Sequence, residues 1–292
     1  MAGDNTAAAL IANRYRLERP LGRGATSEVF LATDLQTGAA VAIKLVAAAH
    51  QATARQASAE VDRAPPRLSR EALAATRLQH PGIAAVLDAD PSGRGSWLVT
   101  AFAAGVPLSR YVQPSRLLPE PLVLRLGARI AEALAHAHGQ RVIHRDLKPS
   151  NVLVDLPTAT VKIIDFGVAR IEDGSQTRTG MTLGTPAYMA PEQLAGAPVS
   201  PASDTYSLGV MLFELLTGHR PHGGANLGEL LRQVANTPAA DLTQRRPDLP
   251  ESVAVAVQQL LARKPQQRPA DLARLATQLD ALADTFVAGS WA

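Results

Sequence analysis

Three short apolar runs between Tyr15 and Val46 constrain the fold of this chain more than any other feature. The first, beginning YRLERPL, leads into a turn that contains Gly22 and Gly24. The second, EVFLAT, ends before DLQTG, where Gly38 suits a hairpin connection. The third is AVAIKLV. The connections leave no room for helices, so the segment reads as an antiparallel meander.

Two further strands are predicted from IAAVLDAD and SWLVTAF, joined through PSGRG. Between the third and fourth strands lies an Ala- and Gln-rich stretch, 47–66, expected to be a short extra helix or a mobile insert. After Pro65 and Pro66 a helix is predicted from about Leu68 to Leu78, stopped by Pro81. Beyond residue 104 the pattern turns helical. Leu122, Leu126, Ile130 and Leu134 recur at four-residue spacing, with Gly139 expected at the C-cap. PASDTYSLGVMLFELLTG is apolar nearly all round and ends at Gly218, which predicts a buried helix. Further helices are predicted at 226–235, 251–262 and 270–283. The expected architecture is α+β with two lobes. A mobile N-terminal segment (1–13) precedes a β-rich lobe with one main helix (14–103). A larger, mainly helical lobe (104–285) and a short tail (286–292) follow.

Composition removes several classes of function. The chain has no cysteine, which excludes disulfides, thiolate catalysis and Cys-ligated zinc. Of seven histidines, His136 and His138 point to different faces of a helix, and His219 and His222 fall in a loop, so no histidine metal site is expected. With 29 basic and 26 acidic residues and no dense Lys/Arg stripe, nucleic-acid binding is not expected. LGVMLFELL (208–216) is too short to span a membrane, and no charged-then-apolar signal pattern opens the chain. A soluble, cytoplasmic chain without a membrane segment is the expectation.

GRGATSEV (22–29) fits either a plain hairpin turn or a loop that cradles phosphate; alone it does not discriminate. The rest of the chain does. VIHRDLKPSNVLV packs His144, Arg145, Asp146, Lys148 and Asn151 onto a short loop anchored by aliphatics at both ends. VKIIDFGVAR follows with Asp165, Phe166 and Gly167, and Lys44 stands in VAIK. With Glu71 in REALAATRLQHP, GTPAYMAPE, Asp204 in SDTYSLG and Arg268, these segments come in one order across nearly the whole chain. In these residues the sequence resembles the protein kinase family, closest to its bacterial Ser/Thr members.

The resemblance implies a two-lobed kinase fold and phosphoryl transfer from ATP with Mg2+ or Mn2+. That chemistry rests on positioned charge more than on covalent catalysis. Gly22 and Gly24 would let the backbone approach the phosphates. Lys44 would contact the α and β phosphates, held by an ion pair with Glu71. Leu21, Val29, Ala42, Thr100, Phe102 and Leu153 would surround the nucleotide, with Val29, Ala42 and Leu153 sandwiching adenine and Thr100 at the gatekeeper position. Asn151 and Asp165 supply hard oxygen ligands for the metal. Asp146 would orient or deprotonate the acceptor hydroxyl, and Lys148 would neutralise the transferred phosphate. His144 and Phe166 are expected to pack, Asp204 to cap its helix or support the catalytic loop, and Arg268 to pair with Glu192.

Ser27 departs from the third glycine, Ala101 from the acidic hinge residue, and Ala75 from a larger aliphatic. Thr177 and Thr179, in the 165–192 activation segment, are the expected autophosphorylation sites, with Thr182 as an alternative and Arg145 as a phosphate partner. Lys148 with Thr185 implies protein Ser/Thr acceptors. Homodimerisation for trans-autophosphorylation is expected by analogy alone. Two other readings remain open at this point. A nucleotide-binding pseudokinase scaffold would usually have lost Lys44, Asp146 or Asp165. A small-molecule phosphotransferase would lack the peptide ledge shaped by GTPAYMAPEQ.

Overall fold

The computed structural model describes residues 9–24, 27–46, 75–90, 97–166 and 186–288. The insert at 47–66, most of the helix expected at 68–78, Glu71, Gly167, and the threonines 177, 179, 182 and 185 lie outside the described residues. The described residues divide into two compact units. One holds those up to Leu78 together with Ala84–Ala103; the other holds Gln79–Ile83 and the residues from Ala104 onward.

The first unit is the predicted three-stranded meander extended by three more strands. Strands β1 (Leu10–Ile11), β2 (Tyr15–Arg23), β3 (Ser27–Asp34), β4 (Ala40–Val46), β5 (Val86–Ala89) and β6 (Trp97–Ala101) form one sheet in the order β1-β2-β3-β4-β6-β5, each neighbouring pair antiparallel. β1 falls in the stretch expected to be mobile: Leu10 and Ile11 pair with Arg16 and Tyr15, and burial of Ile11 in the sheet's core accounts for it. One face carries that core, built from Tyr15, Ala32, Val41, Ile43, Leu45 and Val99.

A polar knot closes the β1–β2 end. Arg14 grips Asp34 with two hydrogen bonds of 2.8 and 2.7 Å, and the buried Tyr15 hydroxyl donates to Asp88 at 2.7 Å. The bond from Arg14 holds the Asp34 carboxyl well below the usual carboxylate range. Asp34 also accepts from the backbone N–H of Gln36 and the hydroxyl of Thr37, so one carboxylate shapes the DLQTG turn, where Gly38 takes a left-handed φ of 73°.

The second unit is mainly helical. A small sheet, β7 (Val106–Pro107), β8 (Val152–Asp155) and β9 (Thr160–Ile163), accompanies α1 (Glu120–Gly139), α2 (Pro191–Leu194), α3 (Pro201–Thr217), α4 (Leu227–Asn236), α5 (Leu242–Arg245), α6 (Glu251–Leu260) and α7 (Leu272–Ala288). α3 is its centre: every residue from Ser203 to Leu216 is buried. Ser200 occupies its N-cap and Pro201 its first turn, where a missing N–H costs nothing. At its other end Gly218, at φ 74°, donates its N–H to the Glu214 carbonyl at 2.7 Å.

Two expectations about helix ends are corrected. Gly139 is the last residue of α1, with Gln140 at the cap; the left-handed turn falls to Arg141, at φ 61°, because the chain keeps bonding back to Ala137 and His138. Of the two roles expected of Asp204, capping α3 falls away because Ser200 holds the N-cap; Asp204 lies inside the first turn and bonds the backbone of residues 144 and 145 instead. On α1, Leu126, Ile130 and Leu134 are fully buried while Leu122 is half-buried.

Candidate active site

In the first unit, register places the expected nucleotide residues on one face of the sheet. Gly22 pairs with Val29, Val29 with Lys44 and Lys44 with Leu98; two residues along, Ala42 pairs with Thr100. Paired and alternate residues share a face, so Val29, Ala42, Lys44 and Thr100 lie together, opposite the core-facing Val41, Ile43 and Val99. All four are half-buried, while Leu21 and Phe102 are exposed. Neither Gly22 nor Gly24 has a positive φ. Their value is open space: a Cβ on Gly22 would meet nothing within 4 Å. Gly24 donates to the Ser27 carbonyl at 2.7 Å, and Arg23 pairs with Glu28 at 2.8 Å, which ties the arms of the turn together.

In the second unit, residues 144–151 form a tight loop entering β8. Lys148 Nζ lies 2.7 Å from Asp146 Oδ2. Asn151 Nδ2 donates to the Asp146 carbonyl at 2.8 Å and to Oδ2 at 3.2 Å. One carboxylate oxygen is thus held by two neighbours, and Oδ1 takes none of these bonds. Asp146 is partly exposed, with 28% of its side chain accessible, as an acid or base that must meet substrate requires.

The loop is suspended from Asp204. This fully buried carboxylate accepts the backbone N–H of His144 at 2.8 Å and of Arg145 at 2.9 Å. It also bonds His138 Nε2 at 2.8 Å. Arg145 sits at φ 71°, a conformation costly for a residue with a Cβ, and the two amide bonds hold it there. From the other side Gln193 on α2 donates to the Arg145 carbonyl at 2.9 Å while accepting the Ala190 N–H at 3.0 Å. His144 packs as expected. Its Nδ1 accepts from the Asp146 N–H at 3.3 Å, which leaves Nε2 to donate to the Ile164 carbonyl at 2.9 Å. Its ring meets the Phe166 ring edge-on at 4.7 Å.

The β8–β9 hairpin explains why Asn151 and Asp165 come together. Val152 pairs with Ile163, so Asn151 falls level with Ile164, whose N–H donates to the Asn151 carbonyl at 2.9 Å. Asp165 is the next residue, at φ 64°, a conformation Asp tolerates better than most. Because Asn151 commits Nδ2 to Asp146, its Oδ1 is left without a partner among the described residues. An amide oxygen beside a carboxylate is a hard donor pair, suited to a small divalent cation that keeps waters and phosphate oxygens as its other ligands. Leu153, half-buried in β8, is two residues on.

Arg268 and Glu192 pair as expected, and the pair braces the same region. Arg268 Nη1 and Nη2 reach the two Glu192 oxygens at 2.7 and 2.9 Å. The remaining guanidinium donors bond the carbonyls of Ala262, Ala202 and Arg263, so all five are used. Burial, the largest influence on Glu192, pushes its pKa up, but the bonds from Arg268 and Ser203 outweigh it and hold the carboxyl below its usual value.

A family model for the protein kinase domain matches residues 15–281. The chain belongs to the protein kinase family. It is 34% identical over 285 residues to serine/threonine-protein kinase pkn3 of Myxococcus xanthus, covering 93% of this chain and 50% of the relative. It is 36% identical over 277 residues to the DNA damage-responsive serine/threonine-protein kinase RqkA of Deinococcus radiodurans, covering 93% of this chain and 40% of the relative. Serine/threonine-protein kinase PknA of Mycobacterium tuberculosis is 35% identical over 267 residues, covering 88% and 58%. The kinase domain therefore spans about half the length of the curated relatives it matches. Membership implies ATP and a divalent cation, and a protein as phosphoryl acceptor. Among the described residues no helix is long and apolar enough to cross a membrane.

His138 and Gln193 are the positioning residues that sequence reasoning missed. From sequence alone His138 reads only as a candidate metal ligand. Its partner lies 66 residues away and that of Gln193 lies 48 away, so no local spacing signals either.

Proposed function

We propose that this chain is an active serine/threonine protein kinase that transfers the γ-phosphate of ATP, with Mg2+ as the working cation, to hydroxyls of protein substrates. The observation that carries the reading is the state of Asp146: Oδ2 is anchored by Lys148 and Asn151, and Oδ1 is left to accept a hydrogen bond from an incoming hydroxyl. Asn151 Oδ1 and the Asp165 carboxylate would hold the metal. Bound Mg-ATP supplies the electrophilic phosphorus and the cationic charge that offsets the phosphates. Lys148, already beside Asp146, can follow charge as it develops on the transferred group. In the first unit, Gly22 and Gly24 offer unobstructed backbone, Val29, Ala42 and Thr100 offer a largely apolar face, and Lys44 offers a cation on that face. Glu71 is assigned to orient Lys44, and Leu21, Phe102 and Leu153 to complete the nucleotide contacts. Retention of Lys44, Asp146 and Asp165 favours catalysis over a scaffold role. Thr177 and Thr179 are proposed as sites of autophosphorylation, made in trans by a second copy, and the chain is proposed to act in the cytoplasm without nucleic acid.

The test is the intact mass of the purified chain before and after Mg-ATP, beside Asp165→Ala. Gains of about 80 Da per phosphate in the wild type alone are expected, with peptide mapping to Thr177 and Thr179. Equal masses in wild type and variant, despite measured ATP binding, would overturn the reading.

A further inference from the structure

The segment Gln79–Ile83 belongs to the second unit, although the residues on both sides of it belong to the first. It is shaped as a turn around His80. The Gly82 N–H donates to His80 Nδ1 at 3.0 Å, and the Ile83 N–H donates to the His80 carbonyl at 3.0 Å. Gly82 is squeezed between that ring and α1: a Cβ on it would stand 3.1 Å from the Ala133 Cβ and 3.2 Å from His80 Nδ1. The turn closes on the helix without slack, so a change at the ring must move Gly82.

Gly82 is also what the turn offers to β9. Its carbonyl accepts the Ile163 N–H at 2.8 Å, and Ile83 forms a parallel bridge with Ile163. The next residue, Ile164, donates its N–H to the Asn151 carbonyl and accepts at its own carbonyl from His144 Nε2. Asp165 follows directly. The backbone that delivers the Asp165 carboxylate is thus held from the catalytic loop on one side and from the His80 turn on the other.

A second imidazole faces the first. The His80 and His136 rings lie 5.2 Å apart between centroids, tilted by 33°. His136 Nε2 is buried and has no hydrogen-bond partner among the described residues. The other titratable groups that act on His80 are Glu132, also on α1, and Lys162 on β9. Glu132 is already paired with Arg129 at 2.8 Å, so a proton on His80 would meet little to offset it. Burial above all, and then His136, hold the His80 pKa below its ordinary value; Glu132 works against them and Lys162 with them. Only the neutral ring accepts from Gly82. Once protonated, Nδ1 carries its own hydrogen and meets the Gly82 N–H donor to donor.

We propose that His80 is a positioning residue for the transfer step: neutral, it locks the turn that holds β9 in front of Asp165, and on protonation it releases that lock. The effect on catalysis rests on the kinase reading above; the lock itself rests on the turn. A base whose folded pKa is lowered contributes stability that is present above its unfolded value, about 6.5, and is lost as pH falls through the folded value. The lock therefore opens in acid.

The experiment compares the whole chain with His80→Asn and His80→Ala from about pH 8 to about pH 5. Asn keeps an acceptor, Oδ1, in the place of Nδ1 and does not titrate, whereas Ala removes the acceptor. One readout is phosphate incorporation at saturating Mg-ATP. The other is hydrogen-exchange protection of the Gly82 and Ile163 amides relative to their intrinsic rates. In the wild type both should fall together in acid. Its rate should drop at least about twofold further than that of His80→Asn, the loss expected once half of the rings are protonated. His80→Asn should keep both amides protected throughout, and His80→Ala should lose protection at every pH. Parallel rate profiles in wild type and His80→Asn overturn the positioning role. Wild-type protection unchanged down to about pH 5 overturns the lock. The mass measurement reads the kinase assignment separately: no phosphate gain in the wild type refutes catalysis, while the exchange comparison still decides the lock.

Discussion

Replacing Asp204 tests whether the catalytic loop is held in place from a distance. Its carboxylate is fully buried and accepts the backbone amides of His144 and Arg145 and the His138 ring. In Asp204→Ala both amides lose their acceptor in a place water does not reach. At about 1–3 kcal/mol for each orphaned donor, the loss is about 2–6 kcal/mol. That is a large share of the roughly 5–15 kcal/mol that holds a domain folded. Asp204→Asn is the finer probe, because it keeps the shape. One side-chain oxygen remains to accept, while the NH2 group faces a backbone donor. Arg145 then loses part of what keeps it at φ 71°, and Asp146, the next residue, shifts with it. A displacement near 1 Å at the reacting group costs about a hundredfold in rate. The assay is phosphate incorporation at saturating Mg-ATP, with hydrogen exchange at the His144 and Arg145 amides. The expected result is a rate about a hundredfold lower, little change in ATP affinity and faster exchange at both amides. An Asp204→Asn protein with wild-type rate and unchanged exchange would refute the reasoning.

Three other outcomes are expected. Arg268→Ala strands the Glu192 carboxylate and three backbone carbonyls, and should cost about 3–5 kcal/mol in urea unfolding; Arg268→Lys, with three donors in place of five, should recover only part of it. Gly218→Ala forces a Cβ at φ 74° to within 2.8 Å of Pro114, so thermal unfolding should show a loss of more than about 1 kcal/mol. Burial raises the Glu214 pKa, against the lowering effects of the Tyr188 bond and Arg220, so the folded chain holds that proton more tightly than the unfolded chain. Its contribution is present below the unfolded value, about 4.3, and is lost as pH rises through the folded value. Glu214→Gln should therefore be more stable than wild type at neutral pH and converge with it in acid, read as the difference in urea midpoint across pH.

The chemistry of this kinase was legible in the sequence because phosphoryl transfer demands particular residue types close together in the chain. Asp146, Lys148 and Asn151 fall within one loop, and their mutual bonds span at most five residues. Asp165 joins them through a hairpin whose two strands are both readable as short apolar runs. The strands of the first unit were legible for a similar reason: alternation and Gly-marked turns act locally. The short β1 pairing was not, because Leu10 and Ile11 form a strand only when Arg16 and Tyr15 offer a partner.

Tertiary structure alone decided what holds the loop and what surrounds it. From sequence Asp204 could cap its helix or support the loop at 144–151, and packing decides between them, because the first turn of α3 faces residues 59 and 60 positions earlier. His138 and Gln193 acquire roles only there. Local residue patterns encode turns, strands and a reactive loop, because those depend on neighbours. Buried polar partners depend on which surfaces meet when the helices close on one another, and no short stretch of sequence contains that.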